Sequence, residues 1–454
     1  MVATVVMAAL VLFHVPGVNG PWYWKWSWRR LPAWPLYASM LLAAAVPFGL
    51  AQYAYLRHRK LRLAMALLAA TTLALELTAL AHQPPTGLRR LPAIVQNAVN
   101  TSYYTDAYLF LEQENIALWE LLHQYPQIVP MLHLHAKYKP PGVVMYYMVP
   151  VKLFGRGDLA ATVGGMGIAV LAALAPVACF AMLRHWGRDD DAAFCGASFL
   201  AMCPSLVLFL PQFDQVYATL ACVILLLWGM AARDGRWLAA AGCGAVLALG
   251  LFMSYIFLVL GCFIVASWLL IAADRDAEAF WRAAIMGMLS LATVAALYGL
   301  LYLFTGFDPF ATFASISHEQ AKDLLPLIRP FPRHILFDVL DFTLGSGWIS
   351  CPLVLCFLVA TGRGLFDRSP RHRLALLALL QIATVAAAAL LPGETARLWL
   401  LLMPLLMAPI GFELSSWPMR YRMVAYGCLW LLLVVLCQNM TFIYMGPELD
   451  GPRH

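Results

Sequence analysis

Residues 105–142 read TDAYLFLEQENIALWELLHQYPQIVPMLHLHAKYKPPG, a polar stretch in an otherwise apolar chain. Asp106 opens it, and His133, His135, Lys137 and Lys139 close it before Pro140-Pro141-Gly142. A carboxylate is suited to taking the proton of an attacking hydroxyl. Cations are suited to stabilising a departing phosphate, whose charge grows as its bond breaks. The four basic positions alternate, so an extended segment would turn them all to one side. Each group also has a plainer reading. Asp106 is a good N-cap for a helix over 107–122, and the His/Lys segment suits a rim that binds lipid headgroups. Glu112 and Glu114 are reserve carboxylates, read first as solvated charges on an amphipathic helix. His133 and His135 with Asp106 form only a weak zinc pattern. A divalent metal is compatible with the stretch but not implied by it.

Three more acids and one arginine extend the set. Asp214 follows Pro211 at the start of an apolar run, where it positions an acceptor, carries a metal or caps a helix. Glu394 and Arg397 stand three apart at the start of another run. They read as a simple i,i+3 pair, or as a site where the guanidinium grips a donor phosphate. Glu76 lies inside an apolar run and must face a cavity or a neighbouring helix. The segment 306–344 carries His318, Glu319, Lys322, Arg329, Arg333 and His334 and is long enough to act as a lid.

Membrane helices must position these groups. The chain is 62% hydrophobic and 12% charged, with a mean hydropathy of +0.75. Soluble domains are nearer half apolar and a quarter charged, which excludes a soluble fold. Apolar runs lie near 2–15, 35–55, 63–82, 158–183, 192–210, 216–232, 238–253, 256–273, 283–305, 345–361, 374–391, 398–412 and 422–438. They predict an all-α polytopic bundle of about thirteen crossings. Continuous Leu, Ala and Val exclude the alternating strands of a barrel. The net charge of +6 sits in short loops, where it sets topology and does not point to nucleic acid.

Arg57, Arg59, Lys60 and Arg62, then Arg184 and Arg188, Arg233 and Arg236, Arg275 and Arg282, Arg363 to Arg373, and Arg420 and Arg422 all fall in alternate loops. That side is expected to be cytoplasmic, in a plasma or inner membrane. The N-terminus then lies in the cytoplasm and the C-terminus outside. The loop 83–157, Asp214, the loop 306–344 and residues 393–397 share the outer face. This requires Val143–Phe154 to lie in the interface, because its twelve residues are too few to cross. GPWYWKWSWRR at 20–30 reads as an interfacial belt. The ten cysteines lie in apolar runs and read as small hydrophobes. The first run reads as a retained helix, since it lacks the basic start and small-residue end of a signal peptide.

YTDAY, then HLHAKYKPPG, then VKLFG at 151–155 resemble the GT-C superfamily of integral-membrane glycosyltransferases. The closest patterns are those of protein O-mannosyltransferases and lipid A aminoarabinose transferases. These have an acidic motif, then HPPL or HKPPL, then a short helix ending in LFG. The resemblance covers about residues 63–232 and includes an acidic residue at a later outer helix end, here Asp214. Asp106 is followed by Ala107 where the superfamily often has a second acid, and two helices precede the resembling core. The resemblance implies sugar transfer from a polyprenyl-phosphate carrier, inverting at the anomeric carbon. The acceptor hydroxyl would belong to a lipid, glycan or protein on the extracytoplasmic face. It implies that Asp106 is the base and that the lipid-linked sugar is a co-substrate, and it establishes no further cofactor.

On this reading the chain is one membrane unit. Two helices fill 1–62, a GT-C-like core fills 63–232, and further helices fill 233–454. Two other functions compete with this reading: a polymerase or ligase of lipid-linked glycans, with catalytic cations in 306–344, and a transporter. Transporters carry internal repeats and mid-membrane ionisable groups. Here no repeat is evident and the ionisable groups collect at run ends.

Overall fold

The computed structural model describes residues 1–20, 26–58, 60–113, 116–273, 276–323, 333–390, 393–443 and 445. Among the described residues the chain is all-α apart from one two-residue strand pair. Helices α1 (Val2–Leu12), α2 (Ala33–His58) and α3 (Leu61–Ala81) come first. A polar excursion follows, with α4 (Arg90–Gln96), α5 (Ser102–Tyr108), α6 (Leu118–Ile128) and α7 (Gly142–Phe154). The chain re-enters the bundle through α8 (Asp158–Ala173), α9 (Ala175–Gly187), α10 (Asp190–Leu200), α11 (Pro204–Val207), α12 (Val216–Asp234), α13 (Trp237–Met253) and α14 (Leu260–Ala273). The rest is α15 (Ala277–Thr305), α16 (Pro309–Asp323), α17 (Arg333–Gly345), α18 (Ser350–Thr361), α19 (Pro370–Ala387), α20 (Thr395–Leu398), α21 (Met403–Ser416) and α22 (Met419–Asn439). Strand β1 (Ser27–Trp28) pairs antiparallel with β2 (Met440–Thr441), tying the N-terminal segment to the end of α22.

Among the described residues seven helices are long and apolar enough to cross a membrane, or eight if the bent pair 333–345 and 350–366 counts as one. Thirteen were expected. The runs at 2–15, 238–253 and 256–273 became short helices of 11 to 17 residues. Each is shorter than the ~20 residues a perpendicular crossing needs. Hydropathy alone registers apolar length but not helix ends. α7 is thirteen residues long and packs on α5 and α8, consistent with a segment that does not cross.

The bundle has two chemically distinct ends. Basic turns meet at one of them. Tyr55 Oη donates to Asp191 (2.8 Å), Arg371 pairs with Asp189 (3.4 Å), and Arg282 donates to the Ala232 carbonyl (3.5 Å). The other end gathers the excursion, the start of α12 and the turn before α20. Trp26, expected in a lipid-facing belt, is instead buried there, while Trp28 stacks on His14 at 4.6 Å. Trp22, Trp24, Lys25, Arg59, Glu114, Arg275 and Arg329 lie outside the described residues. All ten cysteines are free.

Candidate active site

The excursion does not run extended between His133 and Lys139. Residues 136–138 form a 3-10 turn, and the four basic side chains diverge to four sets of partners. The expected single cationic face is therefore absent. The cause is local. Ser102 Oγ accepts the His135 and Ala136 amides (3.1 and 2.9 Å), and this curls the chain over the start of α5.

His133 goes to Asp106. Its Nδ1 lies 2.5 Å from Asp106 Oδ1, and its backbone N–H donates to Oδ2 at 3.2 Å. Asp106 is inside α5 and does not cap it; Thr101 holds the cap position. The side chain of Asp106 is 3% exposed, while that of His133 is 44% exposed. Burial holds the Asp106 carboxyl above its usual range, and the bonds from His133 only partly offset this.

Lys139 goes the other way, into the bundle. Its Nζ donates to Asp214 Oδ1 (2.5 Å) and to Tyr217 Oη (3.0 Å). Asp214 occupies the 3-10 turn Phe213–Gln215 that leads into α12. Its other oxygen lies 3.3 Å from Arg397 Nε, and Arg397 Nη2 lies 2.5 Å from Glu394 Oε2. Lys139, Asp214, Arg397 and Glu394 thus form a quartet of two positive and two negative groups, none more than 16% exposed. Buried charges persist only when paired in this way. Arg397 Nε lacks hydrogen-bond geometry to Asp214, so this buried N–H has no acceptor among the described residues. Glu394 sits at φ 45°, a left-handed conformation uncommon for residues other than glycine.

The pair and the quartet share one environment. Tyr103, on the same helix as Asp106, places its ring 5.5 Å from Lys139 Nζ. Tyr125 Oη donates to the Lys139 carbonyl (3.0 Å), and its ring system lies within the field of Asp106. Half-buried His135 lies in the field of the quartet, with Nε2 2.9 Å from the Val99 carbonyl. Burial and the nearby Arg397 and Lys139 push its imidazole down to about 4, which keeps it neutral at ordinary pH.

Lys137 faces outward to α16, pairing with Asp323 (2.6 Å) and Glu319 (3.0 Å). Tyr138 Oη also donates to Asp323 (2.8 Å), and Ser315 Oγ donates to the Pro126 carbonyl (2.8 Å). Part of the expected lid loop is therefore a helix lying along the excursion. His334 is not at the site and contacts the Ala386 carbonyl. Glu112 accepts from the Arg156 amide (3.1 Å). Glu76 is fully buried in α3, with no hydrogen bond among the described residues. The ring nitrogens of His133 and His135 that make contacts go to different partners, and no three metal-binding side chains cluster among the described residues.

Asp338 and Asp341, absent from the sequence-derived candidates, hold the quartet in place. Asp341 Oδ2 accepts the Ala396 amide and Oδ1 the Trp26 indole (both 2.8 Å). Asp338 accepts the Gly393 amide through Oδ1 (3.1 Å) and the Thr395 hydroxyl through its carbonyl (2.5 Å). Together they set the 393–397 turn from which Glu394 and Arg397 project. Two acids spaced i,i+3 in the otherwise apolar HILFDVLDFTLG were the available signal.

No protein-family model matches the sequence, and a comparison with curated proteins finds no match. Among solved structures, the chain is similar to the crystal structure of ArnT from Cupriavidus metallidurans in the apo state, with a TM-score of 0.49 and 14% identity. The similarity covers 79% of this chain and 61% of that one, so the chain spans about three fifths of its length. Likeness at this level assigns no activity.

Proposed function

We propose that the protein is a membrane glycosyltransferase that moves a sugar from a polyprenyl-phosphate-linked donor to an acceptor hydroxyl. The observation that carries this reading is one connected environment at one end of the bundle. It contains a carboxylate–imidazole pair beside a buried arginine and lysine. Sugar transfer from a phosphate needs both functions: a base for the incoming hydroxyl and cations for the outgoing phosphate.

The proton acceptor is His133, with Asp106 behind it. The resemblance implies Asp106 as the base itself, but its carboxyl is shielded and both oxygens are engaged by His133. The exposed imidazole takes the acceptor proton at Nε2 while Asp106 fixes Nδ1 and balances the charge. The acceptor oxygen forms its bond to the anomeric carbon as the carbon–oxygen bond to phosphate breaks, and that electron pair leaves on the phosphate. Attack opposite the departing phosphate inverts the carbon. Arg397 and Lys139 receive the phosphate charge, and the unused Nε–H of Arg397 is the donor available to it. Asp214 and Glu394 hold both cations in place before the donor arrives.

The test uses the full chain in lipid discs with a mixed pool of polyprenyl-phosphate sugars and hydroxyl-bearing lipid or glycan acceptors. Free polyprenyl phosphate is followed by mass spectrometry. Asp106→Asn and His133→Gln should each reduce its release by about 10²–10⁴-fold, the usual worth of positioned acid–base groups. Donor binding should remain. Release by Asp106→Asn at the wild-type rate would remove this reading of the pair.

A further inference from the structure

At the basic end of the bundle a cleft of about 470 Å³ lies along the packed seam of α9 and α12. Three arginines line it: Arg184 and Arg188 from the end of α9 and Arg233 from the end of α12. Phe180 and Leu226 form an apolar wall one or two turns deeper. Arg233 lies 19 residues along the chain from Asp214, about 28 Å at 1.5 Å per residue. That is close to a bilayer's ~30 Å hydrocarbon thickness. The cleft and the candidate active site are therefore at opposite membrane faces.

Arginines near helix ends have an ordinary explanation, since cations favour helix C-termini and set topology. Three features go beyond it. Arg233 is fixed: Nη1 donates to the His185 and Trp186 carbonyls (3.1 and 2.9 Å), and its guanidinium lies 5.6 Å over the Trp186 ring. Arg188 makes no ion pair among the described residues, and its charge bears on Arg233, as does that of Arg373 on α19. The cleft also joins this positive field to an apolar wall in a space the size of a small-ligand site. Its acidic lining residue, Asp234, lies 3.7 Å from Arg236, and Arg184 shares its charge with Asp190 at 2.8 Å.

We infer that this cleft is a binding site for a phosphate-bearing anion, occupied by the headgroup of an anionic phospholipid from the leaflet opposite the active site. Guanidinium groups from the ends of α9 and α12 meet the phosphate oxygens, and the first carbons of the acyl chains lie along Phe180 and Leu226. A soluble phosphate compound offers the same anion without those chains. The apolar wall favours the lipid.

The test is independent of any transferase activity. The full chain is placed in phosphatidylcholine discs doped with phosphatidylglycerol, and lipids retained on release are counted by native mass spectrometry. Inorganic phosphate is titrated separately into undoped discs by calorimetry. Wild type should retain phosphatidylglycerol over phosphatidylcholine. Arg184→Gln with Arg188→Gln, both at exposed positions, should lose that preference by about tenfold or more, the worth of one charge-assisted bond. Arg420→Gln, another exposed arginine of the basic end, should not. Phosphate binding that disappears in the double variant, without lipid preference, would assign the cleft to a soluble anion and overturn the lipid as its occupant. Equal retention in wild type and the double variant with no phosphate binding would overturn the site itself. So would an equal loss in Arg420→Gln, which would reduce the effect to net charge.

Discussion

Lys137 and Lys139 are two residues apart and have opposite situations. Lys139 enters the bundle and meets Asp214, which is 4% exposed, in contact with Arg397 from a distant helix. Lys137 leaves it and clamps α16, where Asp323 is 31% exposed. The first lysine joins long helices that are far apart in sequence. The second holds one amphipathic helix against the excursion. Chemical type and spacing therefore do not determine what a basic residue does here. The 3-10 turn at 136–138 does, by sending alternate side chains to different neighbours.

Breaking the buried side should have the largest effect. Lys139→Met leaves Asp214 with Arg397 alone and gives the quartet a net negative charge. Removing one partner of a buried pair typically costs about 3–5 kcal/mol. Thermal unfolding in detergent should show a large drop in midpoint, and transfer should be lost. Lys139→Met with Asp214→Asn restores charge balance, since Arg397 and Glu394 remain paired. It should recover much of the stability and none of the activity. Midpoints that simply add would show that the two groups are not coupled.

The gathering of these residues was largely legible in the sequence. Basic loops at alternate turns put Asp106, Lys139, Asp214 and Arg397 at one end, and the structure brings them together there. The order of YTDAY, HLHAKYKPPG and VKLFG pointed to the same segment. Three things were not legible. Alternation in HLHAKYK suggested an extended strand, because the amide-accepting role of Ser102 is a tertiary contact with no local mark. Asp106 looked free to act, because nothing in the sequence shows that His133 would take both its oxygens. Asp338 and Asp341 were visible as acids in an apolar run, but their task of accepting the amides of residues 393 and 396 depends on a turn more than fifty residues away.

His135 sharpens the comparison, because it reports the charge of the quartet without belonging to it. Its folded value of about 4 lies below the 6.5 of an ordinary imidazole. The folded protein therefore binds fewer protons than the unfolded chain between these values. Stability from this group is complete above pH 6.5 and is lost as pH falls through about 4. His135→Gln should flatten that part of the acid dependence of the unfolding midpoint. Arg397→Gln removes one of the cations that depress the imidazole, so its acid loss should be shallower than wild type. An unchanged acid profile in both variants would separate His135 electrically from the quartet.

The smallest expected effect belongs to Lys137→Ala. Its partners draw it well above the ordinary lysine range through the bonds to Asp323 and Glu319, while its proton pulls Asp323 below the usual carboxylate range. Both groups keep their charge at neutral pH either way, so the variant removes a clamp without changing a protonation state. Ion pairs near solvent contribute little to global stability. The unfolding midpoint should therefore stay close to wild type, in contrast to Lys139→Met. The change should be confined to α16, whose remaining ties include Ser315 to the Pro126 carbonyl and Gln320 to the Tyr138 carbonyl (3.2 Å). Hydrogen exchange should accelerate across 309–323 and remain unchanged in α12 and α21. A midpoint that falls as far as that of Lys139→Met would instead make the two lysines parts of one framework and erase the distinction between them.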